Sequence, residues 1–259
     1  MKINNKQLIL KIFHKLWPIN RSITGKGFTK SLKIIQKELK GLKIKKIKTN
    51  SKVFDWKIPK EWNVSEAWIK DENGKKILNY KDNNLHLMGY SKPINKFVNF
   101  KTLSSHLFST KDQPNAIPYV TSYYNKNWGF CLSHKTRKKL DKKKKFLFLI
   151  KSKFSNGFLR YGEIIIPGKS KKEILISTYL CHPSLANNEL SGPILTLLLS
   201  NWLKAIKKRN YTYRIIFIPE TIGSIAYIHK NLDILKKRII AGFVVTCVGD
   251  ERNYSYFPS

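Results

Sequence analysis

Three short apolar runs, EILISTYL (173–180), YRIIFIP (213–219) and AGFVVTCV (241–248), constrain this chain more than any other feature. Each is rich in β-branched residues and reads as a strand buried on both faces. Between them lie two helical stretches. One runs from Pro193 to about Lys208, with Pro where the first turn tolerates it, and the other from Ile222 to Asn231. Strand, helix, strand, helix, strand at this spacing predicts right-handed crossovers and a parallel sheet. Ligands in such sheets gather beyond the carboxyl ends of the strands. That rule points to two loops, CHPSLANNELSG (181–192) and PETIGS (219–224).

The rest of the chain has other textures. Residues 3–17 carry apolar positions at helical spacing and end at Trp17-Pro18. After the loop NRSITGKG, residues Phe28, Leu32, Ile35 and Leu39 mark one face of a second helix, with Gly41 where a C-terminal cap belongs. A weak strand opens at Leu42. From Val53 onward, VFDWKIP, EAWIKD, KKILNY, LHLMGY, IPYVTSYY, WGFCLS and FLFLIKS all read as strands. Asn73-Gly74 is a two-residue hairpin signal, SKPIN and DQPNAIP mark loops, and Thr102 to Phe108 reads as a short helix. The predicted organisation is an N-terminal helical part over 1–52, an inserted β-rich domain over 53–165 and an α/β core over 166–259.

The chain carries 50 Lys and Arg against 16 Asp and Glu, a formal charge of +34. One reading is a surface for polyanions such as nucleic acid, acidic polysaccharide or anionic lipid. The other is compositional drift, since 43 of the cations are Lys, Asn and Ile are also abundant, and all three share AT-rich codons. Arg, which reads phosphates and bases through a bidentate fork, is scarce, and this argues against nucleic acid. The cluster KTRKKLDKKKK (135–145) reads as a solvated hairpin tip between WGFCLS and FLFLIKS, with a polyanion contact as the alternative. Three cysteines, at 131, 181 and 247, form no paired motif, which points to reduced thiols and a cytoplasmic location. The N-terminus lacks a clean signal-peptide core. The best apolar run, Ile194 to Leu203, is about half the ~20 residues a membrane span needs.

His182 directly follows the first buried strand, at the mouth of the sheet, and Glu220 ends the second. An imidazole and a carboxylate at neighbouring strand ends can converge on one zinc ion and its water, with the carboxylate as general base. Glu220 also suits the start of the following helix, whose dipole favours an acid there. Cys181 reads as core packing, since adjacent strand residues face opposite ways. Gly192 and Gly223 read as close-packing positions where helices leave the sheet.

The strings RSITGKG, VFDWKIPKEWNVSEAWI, LHLMGYSKPIN, QPNAIPYVTSYY, WGFCLS, STYLCHPSLANNELSGP, FIPETIGSI and VVTCVGDERNYSY resemble a bacterial aminopeptidase-like family. The family is often met in cell-surface polysaccharide gene neighbourhoods and is distantly related to the zinc exopeptidases. The resemblance implies an α/β aminopeptidase-like fold, a mixed or parallel sheet with helices on both faces, interrupted by a small β domain. A C-terminal winged helix follows in the family. By resemblance His182 matches the first zinc ligand, Asn188 the position of a zinc-binding Asp, and Glu220 the general base. The implied substrate is peptide-like or an amino-substituted small molecule.

Two departures bear on activity. Position 188 is Asn, a weaker zinc ligand than a carboxylate that removes one negative charge from the site. Glu189 is adjacent, but a one-residue shift normally redirects a side chain. The family also continues well beyond residue 259, where its remaining ligands are expected. The reading is therefore a zinc-dependent aminopeptidase-like hydrolase impaired by truncation and by Asn188. The alternative is a non-catalytic module that binds an acidic glycan or a protein partner.

Overall fold

The apolar runs pair with one another, and the polar segments between them turn. The computed structural model describes residues 5–251, 255, 256 and 258. The first two positions of the helix read over 3–17, and Arg252–Tyr254 of the VVTCVGDERNYSY string, lie outside them. The chain forms two compact units, residues 1–60 with 156–259, and Glu61–Ser155.

In chain order the elements are α1 (Asn5–Leu16), α2 (Gly25–Glu38), β1 (Lys43–Lys48), β2 (Lys52–Val53) and β3 (Trp56–Lys57). The second unit then carries β4 (Glu61–Asp71), β5 (Lys76–Asn79), β6 (Ile94–Asn99), α3 (Phe100–Ser104), β7 (Leu107–Phe108), β8 (Phe130–Cys131), α4 (His134–Lys138) and β9 (Lys145–Ser155). The chain returns to the first unit with β10 (Phe158–Ile166), β11 (Glu173–Tyr179), α5 (Gly192–Ala205), β12 (Thr212–Ile218), α6 (Ile222–Arg238) and β13 (Ile239–Val244).

The first unit is built on a five-stranded sheet of order β1-β10-β12-β11-β13. β11 pairs in parallel with β12 and with β13, while β10 runs antiparallel to β12 and to β1. The sheet is therefore mixed, with its parallel half in β11, β12 and β13. On one face Tyr161, Ile216 and Ile218 pack with Tyr227 and Leu235 of α6. On the other, Leu32 of α2 lies over Gly162. A side chain at Gly223 would meet the Pro219 ring at 2.5 Å, and one at Gly192 would meet the Val245 carbonyl at 2.4 Å, so both helices start in close contact with a strand-end loop.

The sheet also buries charge. The Arg214 guanidinium donates to Glu173 at 2.5 and 3.1 Å and to Glu163 at 2.8 Å, and Tyr227 donates to Glu163 at 2.6 Å. Lys45 and Arg238 close the network from β1 and α6. It ties four strands to one helix. Burial raises the Glu163 pKa, but hydrogen bonds from Lys45 and Tyr227 and the nearby cations outweigh it and hold the carboxyl below its ordinary value.

The second unit centres on a sheet of order β5-β4-β9-β6. At Asn73-Gly74 the chain turns from β4 into β5, with Gly74 N donating to Asp71 O at 2.9 Å. Trp62 stacks on Tyr90, and Trp128 on Phe148.

Several segments differ from the sequence reading. VFDWKIP is a small hairpin of β2 and β3, not one strand. LHLMGY opens as a 3₁₀ turn, because Asn83 accepts from Leu85 N, and it and IPYVTSYY contribute only isolated bridges. β6 follows Pro93 in a stretch read as loop. β10 falls at the end of the stretch read as inserted domain but belongs to the main sheet, so the inserted unit spans 61–155 against the 53–165 read from texture. The basic run 135–145 is not a hairpin tip, since β8 and β9 lie in different sheets. Arg137 within it turns inward to the carbonyls of Leu107 and Ser104. No helix among the described residues is long and apolar enough to cross a membrane.

Arg214→Met should leave two buried carboxylates poorly compensated and cost about 3–5 kcal/mol in urea unfolding. A loss under 1 kcal/mol would contradict the network's structural role. Because the folded pKa of Glu163 is depressed, its contribution is present above the unfolded carboxylate range and is lost as pH falls through the folded value. The wild-type unfolding free energy should therefore decline in acid more steeply than that of Glu163→Gln.

Candidate functional site

Parallel pairing sets the ends of β11, β12 and β13 at one level: Tyr179 lies opposite Ile218, and Ser177 opposite Val244. Three loops therefore leave the sheet side by side. They are 180–192, 219–221 and 245–249.

The first loop delivers His182. The second delivers Glu220, whose Oε2 lies 3.0 Å from His182 Nε2. The Glu220 side chain is 45% exposed, whereas the His182 side chain is 6% exposed. Glu220 N donates to the Cys181 thiol at 3.3 Å, which couples the two loops. Cys181 is fully buried and burial raises its pKa well above the ordinary thiol value, consistent with packing and not with a nucleophile.

Residues Ala186–Ser191 form a π-type turn in which Asn188 (φ −78°, ψ 85°) and Glu189 (φ 149°, ψ −69°) leave helical geometry. The break sends consecutive side chains to different places. Asn188 is exposed; its Oδ1 accepts from the Tyr179 hydroxyl at 3.2 Å and its side chain also bonds the His182 ring. Glu189 turns inward and its Oε2 lies 3.2 Å from His182 Nδ1. The sequence reading set Glu189 aside on the ground that a one-residue shift redirects the side chain. The direction does change, but toward the other edge of the same imidazole.

Burial raises the Glu189 pKa to about 8, with the Arg21 charge pulling the other way. The amides of Cys181 and His182 lean toward the carboxyl and also lower it, yet neither is aligned as a hydrogen-bond donor to either oxygen. Burial lowers the His182 pKa, opposed by Glu220, so the ring is neutral near pH 7 and its nitrogens are suited to a metal.

Arg21 lies beneath. Its guanidinium donates to the His182 carbonyl at 3.1 and 2.7 Å and to the Leu16 carbonyl. The third loop closes the rim. Thr246 donates to the Tyr179 hydroxyl at 2.5 Å, Val245 N to Ser177 O at 2.8 Å and Gly249 N to Asn187 Oδ1 at 2.8 Å. Ser184, Glu189, Thr221 and Cys247 all hold positive φ, and such backbone strain, about 1–3 kcal/mol per residue, gathers at functional sites.

The Nε2 to Oε2 separation of 3.0 Å is hydrogen-bonding distance, and a carboxylate so placed can reach a water held beside the imidazole. Cys181, His182 and Glu189 also bring ligand atoms within 4.8 Å of one another. The sequence reading brought forward His182, Asn188 and Glu220, and all three meet here. It did not find Arg21, Tyr179 or Thr246. Applying the strand-end rule to β13 as well would have pointed to the Thr246 loop.

Comparison with known proteins places these observations in a family. A Clostridium acetobutylicum protein named for polysaccharide biosynthesis and an aminopeptidase-like domain is 43% identical over 250 residues, covering 95% of this chain and 56% of its own length. A crystallised C. acetobutylicum protein described as a peptidase superposes with a TM-score of 0.90 at 41% identity, over 95% of this chain and 57% of that one. The chain thus spans somewhat over half the length of these relatives. The zinc aminopeptidase BSAP from Bacillus subtilis shares the fold at a TM-score of 0.61 and 14% identity, over 95% of this chain and 70% of its own. The fold is the mixed α/β fold of the aminopeptidase-like zinc peptidases. A family profile matches residues 10–259, and the chain belongs to the family described as a domain of unknown function, DUF4910.

Proposed function

We propose that this chain is the metal-binding and proton-transferring part of a zinc-dependent aminopeptidase-like hydrolase, acting on an amide bond next to a free amine. The observation that carries the reading is the 3.0 Å approach of His182 Nε2 and Glu220 Oε2 at the rim of the parallel strands. The fold shared with zinc aminopeptidases and the polysaccharide-related name of one relative are consistent with a peptide-like or amino-substituted substrate.

The residues present fit a cation. His182 offers a neutral imidazole nitrogen, Asn188 an amide oxygen, and Glu220 a solvent-reachable carboxylate beside them. Buried Glu189 lies behind the ring, its Oε2 3.2 Å from Nδ1, and burial raises its pKa to about 8. Zinc held there would supply Lewis acidity to a substrate carbonyl and to water. Glu220 takes a proton from the attacking water and returns it to the leaving amine, a role that needs the solvent access it has. His182 stays neutral and fixed by its buried surroundings. Asn188 is the weak point, because an amide carries no charge.

Zinc binding by the purified chain should therefore be measurable but weak. Equilibrium dialysis should show His182→Ala abolishing it and Asn188→Asp strengthening it roughly tenfold, about 1.4 kcal/mol. Zinc retained at unchanged affinity in His182→Ala would refute the assignment. No zinc in any variant, with salt-sensitive retention on an anionic glycan, would favour a binding module instead. In an Asn188→Asp background, hydrolysis of an aminoacyl anilide should fall about 10²–10⁴-fold on adding Glu220→Gln. An unchanged rate would remove Glu220 as the base.

A further inference from the structure

We propose that the outer face of the four-stranded sheet in the inserted unit binds an acidic polysaccharide, with Trp68 and Phe97 stacking on sugar rings and Lys70 and Lys145 pairing with the carboxylates those sugars carry. The proposal does not rest on the zinc reading, and none of its residues belongs to the site around His182.

The sheet β5-β4-β9-β6 has one face in the core of its unit. Ala67, Ile69, Phe146, Phe148 and Ile150 make up that face and are at most 1% exposed. Alternation along a strand turns their neighbours the other way. The register sets Trp68 and Lys70 of β4 opposite Leu149 and Leu147 of β9, and Leu147 opposite Phe97 of β6, so these side chains share the outer face. An antiparallel sheet with one face in water is ordinarily polar on that face. This one keeps two aromatic rings there, since Trp68 is half-buried and Phe97 is 54% exposed.

Each ring has a cation beside it. Lys70 Nζ lies 4.7 Å from the centre of the Trp68 ring, and Lys145 Nζ lies 6.0 Å from that of Phe97. The acid on this face, Glu66, is already engaged by Lys151 at 2.7 Å and by the Trp68 indole N–H at 2.7 Å. Lys145 is also the last residue of the basic run 135–145, whose alternative reading is a polyanion contact.

Lysine is common over the whole chain, so charge alone does not mark a site. The pairing of an ammonium with an aromatic face narrows the choice. The negative face of the ring attracts the polarised C–H bonds of a sugar, and the ammonium attracts a carboxylate on the same unit. A uronic acid carries both groups. Two strand spacings and one pair of residues separate Trp68 from Phe97, roughly 12 Å between backbones, so the two rings can engage different units of one chain. Nucleic acid fits less well. None of the four strands holds an arginine, and the Glu66 carboxylate repels a phosphate but accepts from a sugar hydroxyl.

The test is titration of the full chain with a short oligogalacturonate at low salt, with a chelator present so that no metal takes part. Binding is expected to exceed that of a neutral dextran oligosaccharide of equal length and to weaken as salt is added. It should fall roughly tenfold in Phe97→Ala, and by a similar factor in the double variant Lys70→Gln with Lys145→Gln. Lys30→Gln with Lys33→Gln removes the same charge from the exposed side of α2 and should change it less than about twofold. These are surface positions, so the result does not depend on Trp68→Ala folding. No binding, a loss as large from the α2 pair, or a Phe97→Ala variant that binds like wild type would each overturn the proposal. So would a single-stranded oligonucleotide that binds more tightly and is weakened by the same substitutions, which would assign the face to nucleic acid. Binding that appears only with zinc would overturn it too, by moving the glycan to the rim site.

Discussion

The parallel register of β11 with both β12 and β13 is the constraint on which the site depends. It ends three strands at one level, so that the loops after Tyr179, Ile218 and Val244 have no route except past one another. A slip of one residue would exchange the two faces of a strand and break the packing of its side chains against both layers of helices. The buried Arg214 network works against such a slip. Its carboxylates lie on β10 and β11, its guanidinium on β12 and its hydroxyl on α6, and only one alignment satisfies them together. Above this frame the rim is closed by short polar contacts, from Cys181 to Glu220 and from Tyr179 to Thr246.

Much of this frame was legible in the sequence, for identifiable reasons. Strands buried on both faces are continuously apolar, and the helices between them open beside Gly192-Pro193 and shortly after Pro219, so β11, α5, β12 and the start of α6 could be read directly. The inserted unit was harder. Its short aromatic runs have high strand propensity, yet LHLMGY and IPYVTSYY are held by local turns and single bridges, because side chains such as Asn83 offered the backbone a nearer partner. β10 was overlooked for a related reason. It follows β9 with only a short turn between, and texture alone does not show that the chain has crossed from one unit to the other.

The site was legible in its positions but not in its geometry. The strand-end rule finds His182 and Glu220 because it depends on topology. It cannot find Glu189, whose inward direction comes from two non-helical residues in a π-type turn. Nor can it find Arg21, which lies 161 residues away in sequence from the carbonyl it holds. The same contacts bear on the charge of the chain. Glu163, Glu173 and Glu189 are buried together with Arg21 and Arg214, so the outer surface carries about the full +34 total. Some of the few acids retained thus lie where the fold or the candidate site uses their charge.

The most direct measurement is anomalous diffraction at the zinc edge from crystals of the chain grown with zinc. The account predicts a peak about 2.0–2.2 Å from His182 Nε2, on the side of Glu220, with Glu189 behind Nδ1. A peak bound to Nδ1, or no peak near His182 at zinc concentrations that load other sites, would contradict it.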